Sequence, residues 1–250
     1  MINIVDDTFF INFCDELADI TVNNIISEIK FEEMFSQSYP VPRLIAIQGK
    51  IENRLEPIYR HPADAQPKLT PFSPFTQRIC DYLSKKLNQN FNHVLIQLYR
   101  DGNDNIGEHA DKTLDIQKNT SIVNYSVGAT RTMKLRTKKI EGESEREIIR
   151  VKLTNNSIFV LGWNTNRNWL HSITQDKRLE SEKSEDELFA NGIRISFTFR
   201  NIATFIDSAG NIIGQGSQKF KTTNTNDLSL LHAFSRENFE TNFDWEKYYG

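Results

Sequence analysis

The apolar positions of the chain follow two different rhythms. Over residues 8–36 they recur at helical spacing, through Leu17, Ile20, Ile25 and Ile29. This predicts an amphipathic helix across 14–30, with Asp15, Glu16 and Asp19 gathered at its positive end. A second helix is predicted over 75–87, FTQRICDYLSKKL, where Ile79, Leu83 and Leu87 share a face. Ser73–Pro74 sets an N-cap residue ahead of a proline at the first helical position. From residue 90 the apolar runs shorten. Segments 94–100, 121–127, 131–137, 146–153, 157–162 and 191–200 are rich in Val, Ile, Phe and Tyr and are divided by turn residues. They read as strands. Six short strands with no helical pattern between them predict an antiparallel sandwich or barrel, one sheet covered by the earlier helices. The fold class is therefore mainly β with flanking helices.

The segments between these elements are uneven. All seven prolines lie between Pro40 and Pro74, so long regular elements are unexpected there, apart from a short strand at 43–48. The remainder reads either as a semi-rigid lid or as a surface connector. Residues 176–189 form a charged excursion, and 205–231 read as a polar loop or extended tail. The closing WEKYYG carries enough aromatic surface to dock back onto the body. The division expected is one domain over 1–250. It would comprise a helical and proline-rich region (1–90), a β core (91–205) and a polar extension (206–250).

Composition narrows the function. The 250 residues are 38% hydrophobic and 25% charged, the balance of a folded chain. No run of eighteen apolar residues occurs, so no membrane span is expected. Acidic residues stand where a signal peptide needs basic ones, which predicts an intracellular protein, in nucleus or cytoplasm. Cys14 and Cys80 are the only cysteines, too few for a thiolate-ligated zinc or iron–sulfur centre. A formal charge of -3 is not that of a general polyanion binder, although RTMKLRTKK (131–139) holds five bases in nine residues. That stretch reads equally as a phosphate-contacting edge or as a solvated hairpin, and acidic EGESERE follows it. Oligomeric state is not set by these residues.

The histidines carry the most chemistry. His109 and Asp111 are two apart after the strongest strand and face one side if the chain is extended. His171, at the end of a short strand, is the natural third ligand. Two imidazoles and one carboxylate leave open positions on an octahedral ion, which suits non-haem Fe(II) better than tetrahedral zinc. In 191–200 the apolar set is Ile193, Ile195, Phe197 and Phe199, opposite Arg194, Ser196, Thr198 and Arg200. That polar face is either solvent-exposed or a ligand cavity.

In combination these segments resemble the AlkB-like Fe(II)/2-oxoglutarate-dependent dioxygenases, most nearly the eukaryotic branch that repairs alkylated nucleic acids. The motifs are LIQLYRDGNDNIGEHADKTLDI, SIVNYSVGATRTMKLR, HSI, GIRISFTFR and the early segment from Pro42–Arg43 to Gly49, covering about residues 40–203. The resemblance implies a double-stranded β-helix (jelly-roll) core. It assigns iron to His109, Asp111 and His171. It gives Arg194 the distal carboxylate of 2-oxoglutarate, sets Arg200 near Asp111 and the chelating end, and has Tyr99 hydrogen-bond the co-substrate. Gln97 stands where the family has Asn, and Gln48 where the nucleic-acid branch has an aromatic. Tyr59 would then supply the aromatic wall for a flipped base, and Glu108 would approach the substrate. The implied reaction uses O₂ to demethylate N-alkylated bases in DNA or RNA, releasing succinate, CO₂ and formaldehyde. The alternative is hydroxylation or oxidative tailoring of a small molecule or protein.

Overall fold

The computed structural model describes residues 1–63, 65–139, 145–223 and 227–250. It begins with a feature the apolar pattern does not announce. Strands β1 (Ile2–Val5) and β2 (Thr8–Ile11) form a hairpin turning through Asp6 at φ 44°. The helix expected over 14–30 is shorter. Asp15–Leu17 makes a single 3₁₀ turn, and α1 spans Val22–Glu28. Thr21 restarts the helix, because its hydroxyl accepts from Asn24 N while the Asn24 side chain accepts from Thr21 N.

The proline-rich stretch holds short strands only, as its missing N–H donors require. These are β3 (Phe35–Ser36), β4 (Tyr39–Pro40), β5 (Leu44–Gly49), β6 (Leu55–Pro57) and β7 (Leu69–Pro71). Helix α2 (Pro74–Leu87) follows with proline in its first turn, as expected. The β core then runs β8 (His93–Tyr99), β9 (Ile106–His109), β10 (Ile122–Gly128), β11 (Arg131–Thr137), β12 (Ile148–Leu153) and β13 (Ser157–Leu161). Helix α3 (Trp163–Asn168), β14 (Trp169–Ile173), α4 (Glu185–Leu188) and β15 (Arg194–Arg200) complete it.

Eight strands make the large sheet, in the order β1-β2-β13-β10-β15-β8-β5-β7, and four make the small one, β12-β11-β14-β9. Gly128 ends β10 at φ 99°, where a Cβ would come within 2.2 Å of Ile193 O, so only glycine lets the chain turn there into the small sheet. The inner faces pack together through Phe159, Leu161, Met133, Leu135, Val151 and Trp169. The outer face of the large sheet is covered by α1 and α2, through Ile25, Ile79 and Leu83 against Ile96, Val123 and Phe197. Two facing sheets with helices on one side are the jelly-roll core implied by the resemblance. Among the described residues no helix is long and apolar enough to cross a membrane.

The polar tail expected over 205–231 is more ordered than its composition suggests. Strand β16 (Thr204–Asp207) pairs with β6 on one side and with β17 (Ile212–Gly214) on the other, and α5 (Leu228–Phe239) and α6 (Trp245–Tyr249) follow. Leu230, Ala233 and Phe234 of α5 recur at helical spacing and pack with Leu114, Phe220 and Tyr249. The terminal aromatics therefore dock as predicted, and they do so beside the loop that leaves β9.

Phe197 lies in the middle of β15, fully buried between Phe199 and Tyr125. Phe197→Ala should lower unfolding free energy by about 3–5 kcal/mol in a urea titration.

Candidate metal and co-substrate site

Strand register builds the site. In the small sheet β14 pairs with β9 so that His171 lies directly opposite His109, their ring centroids 4.2 Å apart. Asp111 follows two residues beyond His109. Its Oδ1 is 3.7 Å from His109 Nε2 and 3.9 Å from His171 Nε2. One ligand atom from each residue lies within 4.8 Å of the others. The His109 ring is oriented by its Nδ1, 2.8 Å from Gly107 O, which turns Nε2 toward the carboxylate.

Asp111 Oδ2 is engaged elsewhere. Arg200 Nε and Nη2 donate to it at 3.0 and 2.6 Å, and both residues are buried. Burial alone would raise the carboxyl, but Arg200 and the two imidazoles outweigh it and hold Asp111 well below the usual carboxylate range. Burial, reinforced by His171, pushes His109 down to about 3, and burial also lowers His171. At neutral pH the set therefore offers two neutral imidazoles and one carboxylate oxygen.

The polar face of β15 points inward. Arg194, Ser196, Thr198 and Arg200 all line one cavity of about 740 Å³ with the three ligands, Gln97, Tyr99 and Glu108. Arg194 pairs with Tyr99 across β8 and is 1% exposed. Its Nη2 donates to Asn124 Oδ1 (3.1 Å) and Ser126 Oγ (2.9 Å). Its Nε and Nη1 are buried without a hydrogen-bond partner. Tyr99 lies 5.2 Å beneath the guanidinium and donates to Gln97 Oε1 at 3.4 Å. Gln97 also accepts from Arg43 Nε at 2.7 Å, so the longer amide is held by a buried arginine.

A model described as the 2OG-Fe(II) oxygenase superfamily matches residues 15–200. The chain belongs to this superfamily. The human DNA oxidative demethylase ALKBH2 is 33% identical over 135 residues, 53% of this chain and 48% of that protein. The mouse alpha-ketoglutarate-dependent dioxygenase alkB homolog 3 is 24% identical over 169 residues, 66% of this chain and 53% of that one. The solved structure of OsALKBH1 aligns with a TM-score of 0.47 and 14% identity, over 80% of this chain and 100% of that one. The chain spans about half the length of the curated relatives it matches.

The residues present fit the groups that superfamily membership implies. The two imidazoles and the carboxylate suit ferrous iron. Unpartnered nitrogens on a buried guanidinium are costly unless an anion meets them, and a 2-oxoglutarate carboxylate would fit that need.

The residues expected on the substrate side do not all face the cavity. Gln48 does not reach the cavity. It alternates with Ile45 and Ile47, which face the cavity side, so it turns toward α2 and accepts from Ser73 N at 3.1 Å. Tyr59 lines the cavity but is not a free stacking wall, because Arg200 covers its ring at 4.1 Å and its hydroxyl accepts from Lys112 N. Glu108 sits at the rim, paired with Lys134 at 2.6 Å and with Arg136. The 131–139 edge is largely spent inside the protein. Arg131 donates to the carbonyls of Asp101, Asp104 and Thr174, and buried Lys138 to that of Glu237. Residues 140–144, which include the start of the acidic EGESERE stretch, lie outside the described residues.

Sequence reasoning missed Asn124 and Ser126. The signal was their alternation with Val123, Tyr125 and Val127, the same pattern that marks β15. It also missed Asn166 and the α5 side chains, and it named Arg43 only as part of the early motif.

Burial, with Arg200 adding to it, also lowers His93 and brings His61 down to about 4. A histidine depressed in the fold binds its proton first in the unfolded chain, so stability is lost as pH falls from about 6.5 toward 4. The melting temperature of metal-free protein should therefore drop across this window, and His61→Gln should make the decline shallower.

Proposed function

We propose that this chain is an Fe(II)- and 2-oxoglutarate-dependent oxygenase of the AlkB type that demethylates N-alkylated bases in DNA or RNA. The observation that carries the oxygenase reading is the meeting, in one cavity, of a two-imidazole, one-carboxylate donor set with a buried guanidinium whose Nε and Nη1 meet no acceptor among the described residues. His109 Nε2, Asp111 Oδ1 and His171 Nε2 would hold the iron, and Arg194 would take the distal carboxylate of the co-substrate. Iron and 2-oxoglutarate, when bound, supply oxidation of a substrate C–H bond by O₂, with succinate and CO₂ as co-products. The chain's own groups prepare the site. Arg200 keeps Asp111 ionised and turns one oxygen toward the imidazoles. Asn124 and Ser126 hold one nitrogen of Arg194, which fixes the direction of the remaining two. Ile122, Met133, Phe159 and Leu161 line the interior with apolar surface that excludes water. Hydroxylation of an N-methyl carbon lets it leave as formaldehyde, which returns the N–H of the base.

The nucleic-acid part of the reading is supported by the demethylase named among the relatives. A cavity of about 740 Å³ also exceeds what a five-carbon dicarboxylate needs and leaves room for a flipped base. A second reading, oxidation of a small molecule or protein, is favoured by one observation. The basic β11 edge is tied up by Glu108 and by backbone carbonyls, so it brings little positive charge to a phosphate backbone.

Fe(II)-loaded protein with 2-oxoglutarate and an N-methylated oligonucleotide should release formaldehyde and succinate in step with repair of the oligonucleotide. Succinate formation that ignores the oligonucleotide but follows a methylated nucleoside or peptide would move the assignment to the second reading. Arg194→Met should weaken 2-oxoglutarate binding roughly thirtyfold or more by calorimetry, as expected when one partner of a buried charge pair is truncated.

A further inference from the structure

We infer that Asn238, in a C-terminal helix beyond the residues matched to the superfamily, is a positioning residue for the metal-ligating segment. The inference rests on the metal-site reading above. Residues 110–113 leave β9 and belong to no strand or helix, yet all four are buried, between 1% and 5% exposed. Buried backbone N–H groups need partners, and no neighbouring strand supplies them here. Four side chains do. Ala110 N donates to Asn238 Oδ1 (2.9 Å), Asp111 N to Asn166 Oδ1 (2.9 Å), Lys112 N to the Tyr59 hydroxyl (3.1 Å) and Thr113 N to Glu237 Oε1 (2.9 Å).

Two of the four acceptors come from α5. Asn238 holds the more telling position, because the Ala110 N–H belongs to the peptide joining His109 to Ala110, between two ligands. The same Asn238 oxygen accepts from Lys112 Nζ at 3.0 Å, so one atom grips the chain on both sides of Asp111. The helix that presents it is itself fixed. Asp227 caps its start, Phe234 packs into the C-terminal cluster, Glu237 Oε2 accepts from the Tyr249 hydroxyl at 2.5 Å, and Lys138 donates to Glu237 O. Removing the Asn238 amide leaves a buried N–H and a buried ammonium without their acceptor. The segment must then shift, and the convergence of His109 and Asp111 shifts with it.

The test uses full-length protein and Co(II) as the probe, with the dissociation constant read by calorimetry and the melting temperature read without metal. Asn238→Ala should weaken Co(II) binding about tenfold or more, the usual cost of losing a group that orients metal ligands. Asn238→Asp, which keeps an acceptor oxygen in place, should restore most of it. Arg236→Ala removes the helix-end ion pair with Glu240 without touching residues 110–113, and should leave the Co(II) constant at the wild-type value. Equal binding by wild type and Asn238→Ala, or an equal loss in Arg236→Ala, overturns the positioning role. Failure of the wild type to bind Co(II) instead overturns the metal-site reading beneath it. Should Asn238→Ala not fold, Asn238→Ser is judged by the same criterion.

Discussion

The site depends on one buried carboxylate being kept charged and turned. Asp111 is removed from water, which by itself favours its neutral form. Arg200 reverses that by closing both Nε and Nη2 on a single oxygen. A buried ion pair of this kind adds little net stability, because desolvation consumes most of the Coulombic gain. What it provides is direction. With Oδ2 engaged, only Oδ1 faces the two imidazole nitrogens, and the three donors converge. The same strand that carries Arg200 carries Arg194 six residues earlier on the same face, so β15 brings the partner of Asp111 and a second buried guanidinium into one cavity.

That arrangement requires an irregular backbone at the centre of the protein. Pairing of β9 with β14 ends at His109, so no neighbouring strand satisfies the amides of residues 110–113. The irregular path is stabilised by four side chains from three places in the chain, at Tyr59, at Asn166 and at the adjacent Glu237 and Asn238. Asn166 contributes twice, since its Nδ2 also donates to Asp111 O at 2.9 Å. The proline-rich region and the C-terminal helix, which look peripheral in sequence, are in this sense parts of the metal centre.

Much of this is legible in the order of the amino acids alone. Short apolar runs mark the β core, and five of the six expected strands begin and end within two residues of the observed ones. The His109/Asp111 spacing and His171 identify the donor set. What periodicity lacks is the identity of the neighbours. The polar face of β15 could have met water, and only its pairing with Asn124 and Ser126 of β10 places it inside. Gln48 departs from expectation because alternation along β5 sends it to the helix-covered side, a fact fixed by pairing with Val94 and not by its place in a motif. The helix expected over 14–30 is interrupted because a capping pair at Thr21 and Asn24 outweighs the continuing apolar rhythm. Polar composition hides the C-terminal helix, although Asp227 before Leu230, Ala233 and Phe234 carries both its start signal and its buried stripe.

The most direct measurement is anomalous diffraction from crystals grown without oxygen in the presence of Co(II) and 2-oxoglutarate. The account predicts one metal peak bound by His109 Nε2, Asp111 Oδ1 and His171 Nε2, with a carboxylate of the co-substrate on Arg194. A metal held elsewhere, or an Arg194 whose free nitrogens meet no carboxylate, would contradict it.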